Sequence, residues 1–157
     1  LAAYGGLPEA GTVFVSIANR DKRSMIFPVR HLADLGFRIL ATQGTADVLR
    51  RNGIAAEVVR KISERGESPT LEDGRTIAER ILAGEVDMIV NTPTGQRART
   101  DGYAIRAAAI TADRTLITTV QELAAAVQAI DALRHSRFEV KSLQEHARDL
   151  DLYGAAR

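Results

Sequence analysis

The sequence has no cysteine, which excludes disulfides and thiolate metal sites and is compatible with, without requiring, a reducing compartment such as cytoplasm. No apolar run approaches the roughly 20 residues that a helix needs to cross a bilayer. Leu1 to Gly6 carry neither a basic leader nor a long apolar core, so they do not read as a signal peptide. They also lack an initiator methionine, and Ala2 to Ala10 contains Gly and Pro in the manner of a linker. The expectation is a piece cut from a longer polypeptide, with residues 1–10 leading from an upstream domain. An excess of one charge is missing too. With 21 basic against 20 acidic residues, net charge +1, neither nucleic acid nor an anionic membrane surface is indicated as the main partner. There is no Walker-type loop, no G-x-G-x-x-G and no Ser/His/Asp order, which argues against chemistry carried by this chain alone. His31, His135 and His146 share no ligand spacing and receive no metal or catalytic role.

What is present is an ordinary globular composition: 157 residues, 45% apolar and 26% charged, enough for one domain that buries roughly 70% of its unfolded surface. Short β-branched runs alternate with helical periodicity. Thr12 to Ile17, Phe37 to Leu40, Ile54 to Val59, Val86 to Val90 and Thr115 to Thr118 read as strands. Between them, Ile26, Val29, Leu32 and Leu35 recur at helical spacing up to Gly36, and Pro28 places the regular start of that helix near Phe27. Asp47 to Asn52, Thr76 to Leu82 and Asp101 to Ala112 read as further helices. Thr119 with Glu122 forms a capping-box signature before a last helix with Val120, Leu123, Val127 and Ile130 on one face. Tyr103 either stacks on a ligand or packs against a neighbouring helix. Arg60 to Arg75, about 16 residues, exceeds the usual loop length, and such loops are often functional.

This order predicts an α/β fold: a single doubly wound, Rossmann- or flavodoxin-like domain over residues 11–133, with about five mostly parallel strands and helices on both faces. Residues 134–157 form a tail in which Phe138 to Val140 reads as a short strand and Leu143 to Leu152 as a helix. In such folds ligands sit beyond the C-terminal ends of the strands, where the strand order reverses. Ser16 to Arg23, Thr42 to Thr45, Lys61, Asn91 to Gly95 and Thr118-Thr119 all fall on that edge.

The central stretch is Ala41-Thr42-Gln43-Gly44-Thr45-Ala46, a strand, a tight turn and a helix start. A helix start offers free N–H groups and the positive end of the dipole, and Gly44 lets an anion approach. The other reading of Thr45 is a simple helix cap. Lys22 and Lys61 follow the first and third strands and can reach an anion seated there, or else are solvated. Asn91 can read a base or ribose edge, or support its own turn. Asp101 can accept from a ribose hydroxyl or a base N–H, or cap a helix.

Taken in order, Gly11 to Lys22, Gly36-Phe37, Ala41 to Ala46, Val59 to Lys61, Asn91-Thr92-Pro93-Thr94-Gly95, Asp101-Gly102-Tyr103, Ile105-Arg106 and Thr118-Thr119 resemble the C-terminal methylglyoxal-synthase-like domain of the carbamoyl phosphate synthase large subunit, in register from about Gly11 to Ile130. The resemblance implies an allosteric module that is not itself catalytic. It binds nucleoside monophosphates such as UMP or IMP, with ornithine near the boundary to the neighbouring domain. It implies no cofactor in this piece. The parent ligase would make carbamoyl phosphate from bicarbonate, ammonia and ATP, with Mg or Mn, in distant ATP-grasp domains. That enzyme is cytoplasmic, works with a glutaminase small subunit and feeds pyrimidine and arginine synthesis. On the resemblance, Lys22, Thr42, Gly44, Thr45 and Lys61 hold the effector phosphate. Ser16, Asn91, Thr92 and Asp101 meet its base or ribose, and Thr118 is the ornithine-side threonine. Pro93 stands where some members carry a hydroxyl, which passes that contact to Thr92 or Thr94. The loop from Arg60 is longer than in several members. Two alternatives share the fold. One is a methylglyoxal synthase-type lyase acting on dihydroxyacetone phosphate, whose carboxylate base would have to be Asp73, off register by about one residue, while Ile17 to Asp21 lacks the expected His-Asp pairing. The other is a free-standing nucleotide sensor.

Overall fold

The computed structural model describes residues 6–59, 75–93 and 98–154, with residues 98–101 and 151–154 described by backbone only. Lys61, Asp73, Thr94 and Gly95, and the segment from Arg60 to Gly74, lie outside the described residues. The strands are β1 (Thr12–Ser16), β2 (Arg38–Thr42), β3 (Glu57–Val59), β4 (Met88–Asn91) and β5 (Thr115–Ile117). The helices are α1 (Lys22–Asp34), α2 (Gln43–Arg51), α3 (Ile77–Leu82), α4 (Ala98–Thr111) and α5 (Val120–Gly154), with a single 3-10 turn, Asn19–Asp21, before α1.

All described pairings are parallel, in the order β3-β2-β1-β4-β5. The sheet is buried on both faces, as parallel sheets require, and its side chains divide by alternation. Val13, Val15, Ile39, Ala41, Met88 and Val90 pack against Met25, Val29 and Leu32 of α1, Leu49 of α2 and Leu123, Val127 and Ile130 of α5. Phe14, Leu40 and Ile89 pack against Ile77 and Ile81 of α3 and Ile105 and Ala109 of α4. Right-handed crossovers explain the division. The steps from β1 to β2 to β3 run one way and put α1 and α2 on one face; the chain then crosses to the far side of β1 and runs the other way, putting α3 and α4 on the other. The reversal lies between β1 and β4, so a crevice opens beyond Ser16 and Asn91.

Two local expectations are corrected. Helix α1 begins at Lys22, not near Phe27, and Pro28 lies inside it. Pro28 cannot donate to the Ser24 carbonyl, a loss of about 3 kcal/mol in a helix interior. Burial of Met25, Val29 and Leu32, roughly 1.5–3 kcal/mol each, exceeds that cost. Helix α5 runs unbroken through Phe138–Val140, where a strand was expected. Helical bonds form within the segment itself, whereas a short strand must find an edge, and the Glu, Lys, Gln and Leu residues around it favour helix. From His135 to Leu150 every residue of this helix is exposed, Phe138 at 73%. Tyr103 on α4 is 70% exposed.

The crevice depends on a well-anchored β1. Gly11, at φ +118°, turns the chain into that strand, and a Cβ there would lie 1.9 Å from Asp87 Oδ2. That oxygen accepts the Thr12 N–H at 2.8 Å, and the same carboxylate faces Arg114 at 3.6 Å. Gly11→Ala is therefore expected to destabilise the chain by about 1–2 kcal/mol, seen as a lower urea midpoint with unchanged slope. A midpoint equal to that of the parent chain would show that Asp87 moves aside freely.

Candidate functional site

Strands β2, β1 and β4 end side by side, each on a buried polar residue: Thr42, Ser16 and Asn91. Ser16 pairs in register with Asn91, and Thr42 Oγ1 lies 3.4 Å from Ser16 Oγ. Thr45 and Thr92 complete the group, at 1% and 5% exposure. Burying so many hydroxyls is costly unless each has a partner, and the partners are largely the backbone. Thr45 Oγ1 accepts the Ile17 N–H at 3.2 Å, and Thr92 Oγ1 accepts the Ala18 N–H at 2.7 Å. The Thr92 N–H donates to the Ser16 carbonyl at 3.0 Å. Two threonines, Thr45 in the first turn of α2 and Thr92 just after β4, thus hold the chain where it leaves β1, just before Lys22.

Helix α2 starts at Gln43, four residues before the expected Asp47, so Gly44 and Thr45 lie in its first turn. Thr42 is the N-cap in extended conformation, yet its side chain makes no capping bond. Its hydroxyl instead lies 3.3 Å from Thr45 Oγ1. The first-turn N–H groups of α2 therefore keep their capacity for an outside acceptor. Lys22 stands over them. Its Nζ donates to Asn19 Oδ1 at 2.6 Å and lies 2.8 Å from where a Cβ on Gly44 would be. A side chain at position 44 would meet this amine. The result is an ammonium, free N–H groups and threonine hydroxyls around one opening, a donor set suited to an oxyanion.

On the other side of β1, Asn91 Nδ2 is buried without a hydrogen-bond partner. It lies 3.1 Å from where a Cβ on Gly102 would be, and Arg106 Nη1 lies 2.8 Å from the same point. Among the expected residues, Ser16, Lys22, Thr42, Gly44, Thr45, Asn91 and Thr92 thus come together. Asp101 lies within the first turn of α4, which begins at Ala98, so it is not the N-cap; its side chain is outside the described set. Thr118 is half-buried just after β5, two strands from β1. Thr119 Oγ1 accepts the Glu122 N–H at 3.1 Å, and a full reciprocal capping box occurs at Thr76 and Glu79. At the other end of the sheet, the hydrogen bond and charge of Glu57 raise the Arg38 guanidinium above its ordinary range.

The MGS-like domain family profile matches residues 24–118, more than half of the chain. The chain belongs to the MGS-like domain family. It is also 60% identical over 146 residues to the carbamoyl phosphate synthase large chain of Beutenbergia cavernae, covering 92% of this chain and 13% of that one. The corresponding protein of Kineococcus radiotolerans is 59% identical over 156 residues, covering 96% and 14%. That of Streptomyces griseus is 60% identical over 148 residues. The chain thus spans about 13% of the length of the relatives it matches. The crystal structure of ForH superposes with TM-score 0.52 at 20% identity, covering 78% of this chain and 80% of that one, which supports the fold alone.

Within this MGS-like domain, three contributors to the crevice stood in the resembling stretches but were given no role there: Asn19 as partner of Lys22, and Gly102 with Arg106 beside Asn91. Gly102 and Arg106 are four apart and so share a helix face. That spacing, and their place in the stretches that carry the family resemblance, are the signals they leave in the sequence.

Proposed function

We propose that this MGS-like domain is the regulatory module of a carbamoyl phosphate synthase large chain and binds a nucleoside monophosphate, of UMP or IMP type, at the switch-point crevice. The phosphate sits on the first turn of α2, between Lys22, Thr42, Gly44 and Thr45, with Lys61, which lies outside the described residues, as its remaining contact. Ser16, Asn91, Thr92 and Asp101 meet the ribose and base, and Thr118 belongs to an ornithine-side site. The observation that carries the reading is the placement of Lys22 Nζ against Gly44, above buried threonine hydroxyls and an uncapped helix start. The high identity to carbamoyl phosphate synthase large chains supports the choice of parent enzyme.

On this proposal the parent is a cytoplasmic ligase serving pyrimidine and arginine synthesis, with a glutaminase small subunit. ATP with Mg or Mn is handled in its other domains and supplies the phosphoryl transfer there. Among the described residues no group of three or more His, Asp or Glu side chains is placed to hold such an ion. The effector controls the parent only through a difference in affinity for two states of the whole enzyme. This chain alone therefore binds effector without coupling. Calorimetric titration with UMP and IMP tests the reading. Saturable heat and a rise in melting temperature with ligand concentration are expected. No heat and no thermal shift at millimolar ligand would overturn it.

A further inference from the structure

We propose that the exposed stretch of α5, from Leu133 to Leu150, pairs with the same stretch of a second copy of this chain in a short antiparallel coiled coil. The pairing is independent of what the crevice binds.

The starting observation is a helix that outruns the body it belongs to. Up to Ile130, α5 lies on the sheet, with Leu123, Val127 and Ile130 in the core. Its root is then fixed on two sides. Arg134 donates to the Leu35 carbonyl at the end of α1, and Arg137 pairs with Glu9 at 2.9 Å. The helix continues to Gly154, with every residue from His135 to Leu150 exposed. Most helical stability in proteins comes from packing an apolar face, and this stretch has such a face with nothing of its own chain to pack it on among the described residues. Leu133, Val140, Leu143 and Leu150 are 45%, 54%, 69% and 60% exposed. With Ser136 and Ala147 they recur at alternating steps of three and four residues, the a and d positions of a heptad. Every charged side chain of the stretch falls off this stripe, and Phe138 lies on the opposite face of the helix.

The order of the stripe indicates what covers it. A heptad period fits a helix of the same period, which a second copy supplies. Along α5 the stripe reads large, small, large, large, small, large, and it reads the same in reverse. A second copy laid antiparallel therefore sets Leu133 on Leu150, Ser136 on Ala147 and Val140 on Leu143. Each contact is made twice, as a two-fold interface requires. The flanks agree: Glu139 comes opposite His146 and Arg137 opposite Gln144, so no like charges meet there. The seam is about 26 Å long and keeps the two globular bodies at its opposite ends. Fewer than three heptads make a small interface, so association is weak, with Kd on the order of 10–100 μM.

Sedimentation equilibrium of the chain from about 1 to 500 μM tests this, and a reversible monomer–dimer equilibrium is expected. Leu143→Glu puts carboxylates into the two central layers and should leave the chain monomeric over that range. Its melting temperature at about 1 μM, where the parent chain is also monomeric, should lie within about 1 °C of the parent's, so the loss is not one of folding. Phe138→Glu, on the other face, should dimerise as the parent chain does. Because the chain has no cysteine, orientation can be read by disulfide formation. Ser136→Cys mixed with Ala147→Cys should give a linked dimer on oxidation, and neither variant alone should do so. A parent chain monomeric at about 500 μM, or a dimer that Leu143→Glu leaves intact, would overturn the inference. Linkage of Ser136→Cys to itself, with none favoured in the mixture, would overturn the antiparallel pairing.

Discussion

Replacing Lys22 by methionine is expected to weaken nucleoside monophosphate binding about 10- to 100-fold and to move the melting temperature of the unliganded chain by no more than about 1 °C. The two effects separate because of where the amine stands. Its protein partner is the side chain of Asn19, an exposed residue, so methionine keeps the apolar stem and strands no buried group. A phosphate loses one charge-assisted hydrogen bond, worth about 1.5–3 kcal/mol, which is the quoted fold-change. The loss should shrink as salt rises, because part of it is a screened charge attraction. Lys22→Arg should recover part of the affinity. Gly44→Ala offers an independent approach from the other side: its methyl group would meet Lys22 Nζ at 2.8 Å, so the amine must shift while the helix start gains propensity. Calorimetry at two ionic strengths checks this, and undiminished affinity in Lys22→Met would take the lysine out of the site.

The parts of this arrangement that could be read from the sequence are those fixed by topology. Runs such as Thr12-Val13-Phe14-Val15 and Met88-Ile89-Val90 are apolar and β-branched because a parallel sheet is covered on both faces. Once such strands are joined by right-handed crossovers, every strand ends on the same edge. Ser16, Thr42 and Asn91 therefore had to be neighbours of that edge whatever the details of their turns. Helix starts were less legible. Gln43-Gly44-Thr45 opens α2 without an apolar period to mark it, and Pro28 disguised a helix that begins a turn and a half earlier, because tertiary burial outweighs its cost. The α4 side of the crevice was least legible. Which face of α4 meets β4 is a packing outcome, and nothing in Gly102-Tyr103-Ala104-Ile105-Arg106 says that the arginine folds back over the glycine. The tail failed for a related reason. Phe138-Glu139-Val140 has strand composition, but its structure depends on what it can pair with, which local pattern does not encode.

Thr45→Val should cost stability and affinity together, unlike Lys22→Met. The substitution keeps the β-branched shape and puts a methyl group in place of the hydroxyl. Thr45 is 1% exposed, and its oxygen is the acceptor for the Ile17 N–H at 3.2 Å. A buried backbone donor left unpaired costs about 1–3 kcal/mol, which for a chain of this size lowers the melting temperature by roughly 2–4 °C per kcal/mol. The same oxygen lies 3.3 Å from Thr42 Oγ1, from which it can accept a second time. A hydroxyl that accepts twice has its own proton left to give, and the free N–H groups of the α2 first turn lie beside it. Valine removes that donor and loosens the chain between β1 and Lys22, so nucleotide affinity should fall by about tenfold or more. Thr45→Ser keeps the oxygen, so it should retain most of the affinity while losing some stability from the missing methyl group. Thermal unfolding with and without ligand, on both variants, separates the terms. If Thr45→Val lost stability but bound nucleotide as tightly as the parent chain, the hydroxyl would be a backbone clamp and the phosphate would have to sit elsewhere on the rim.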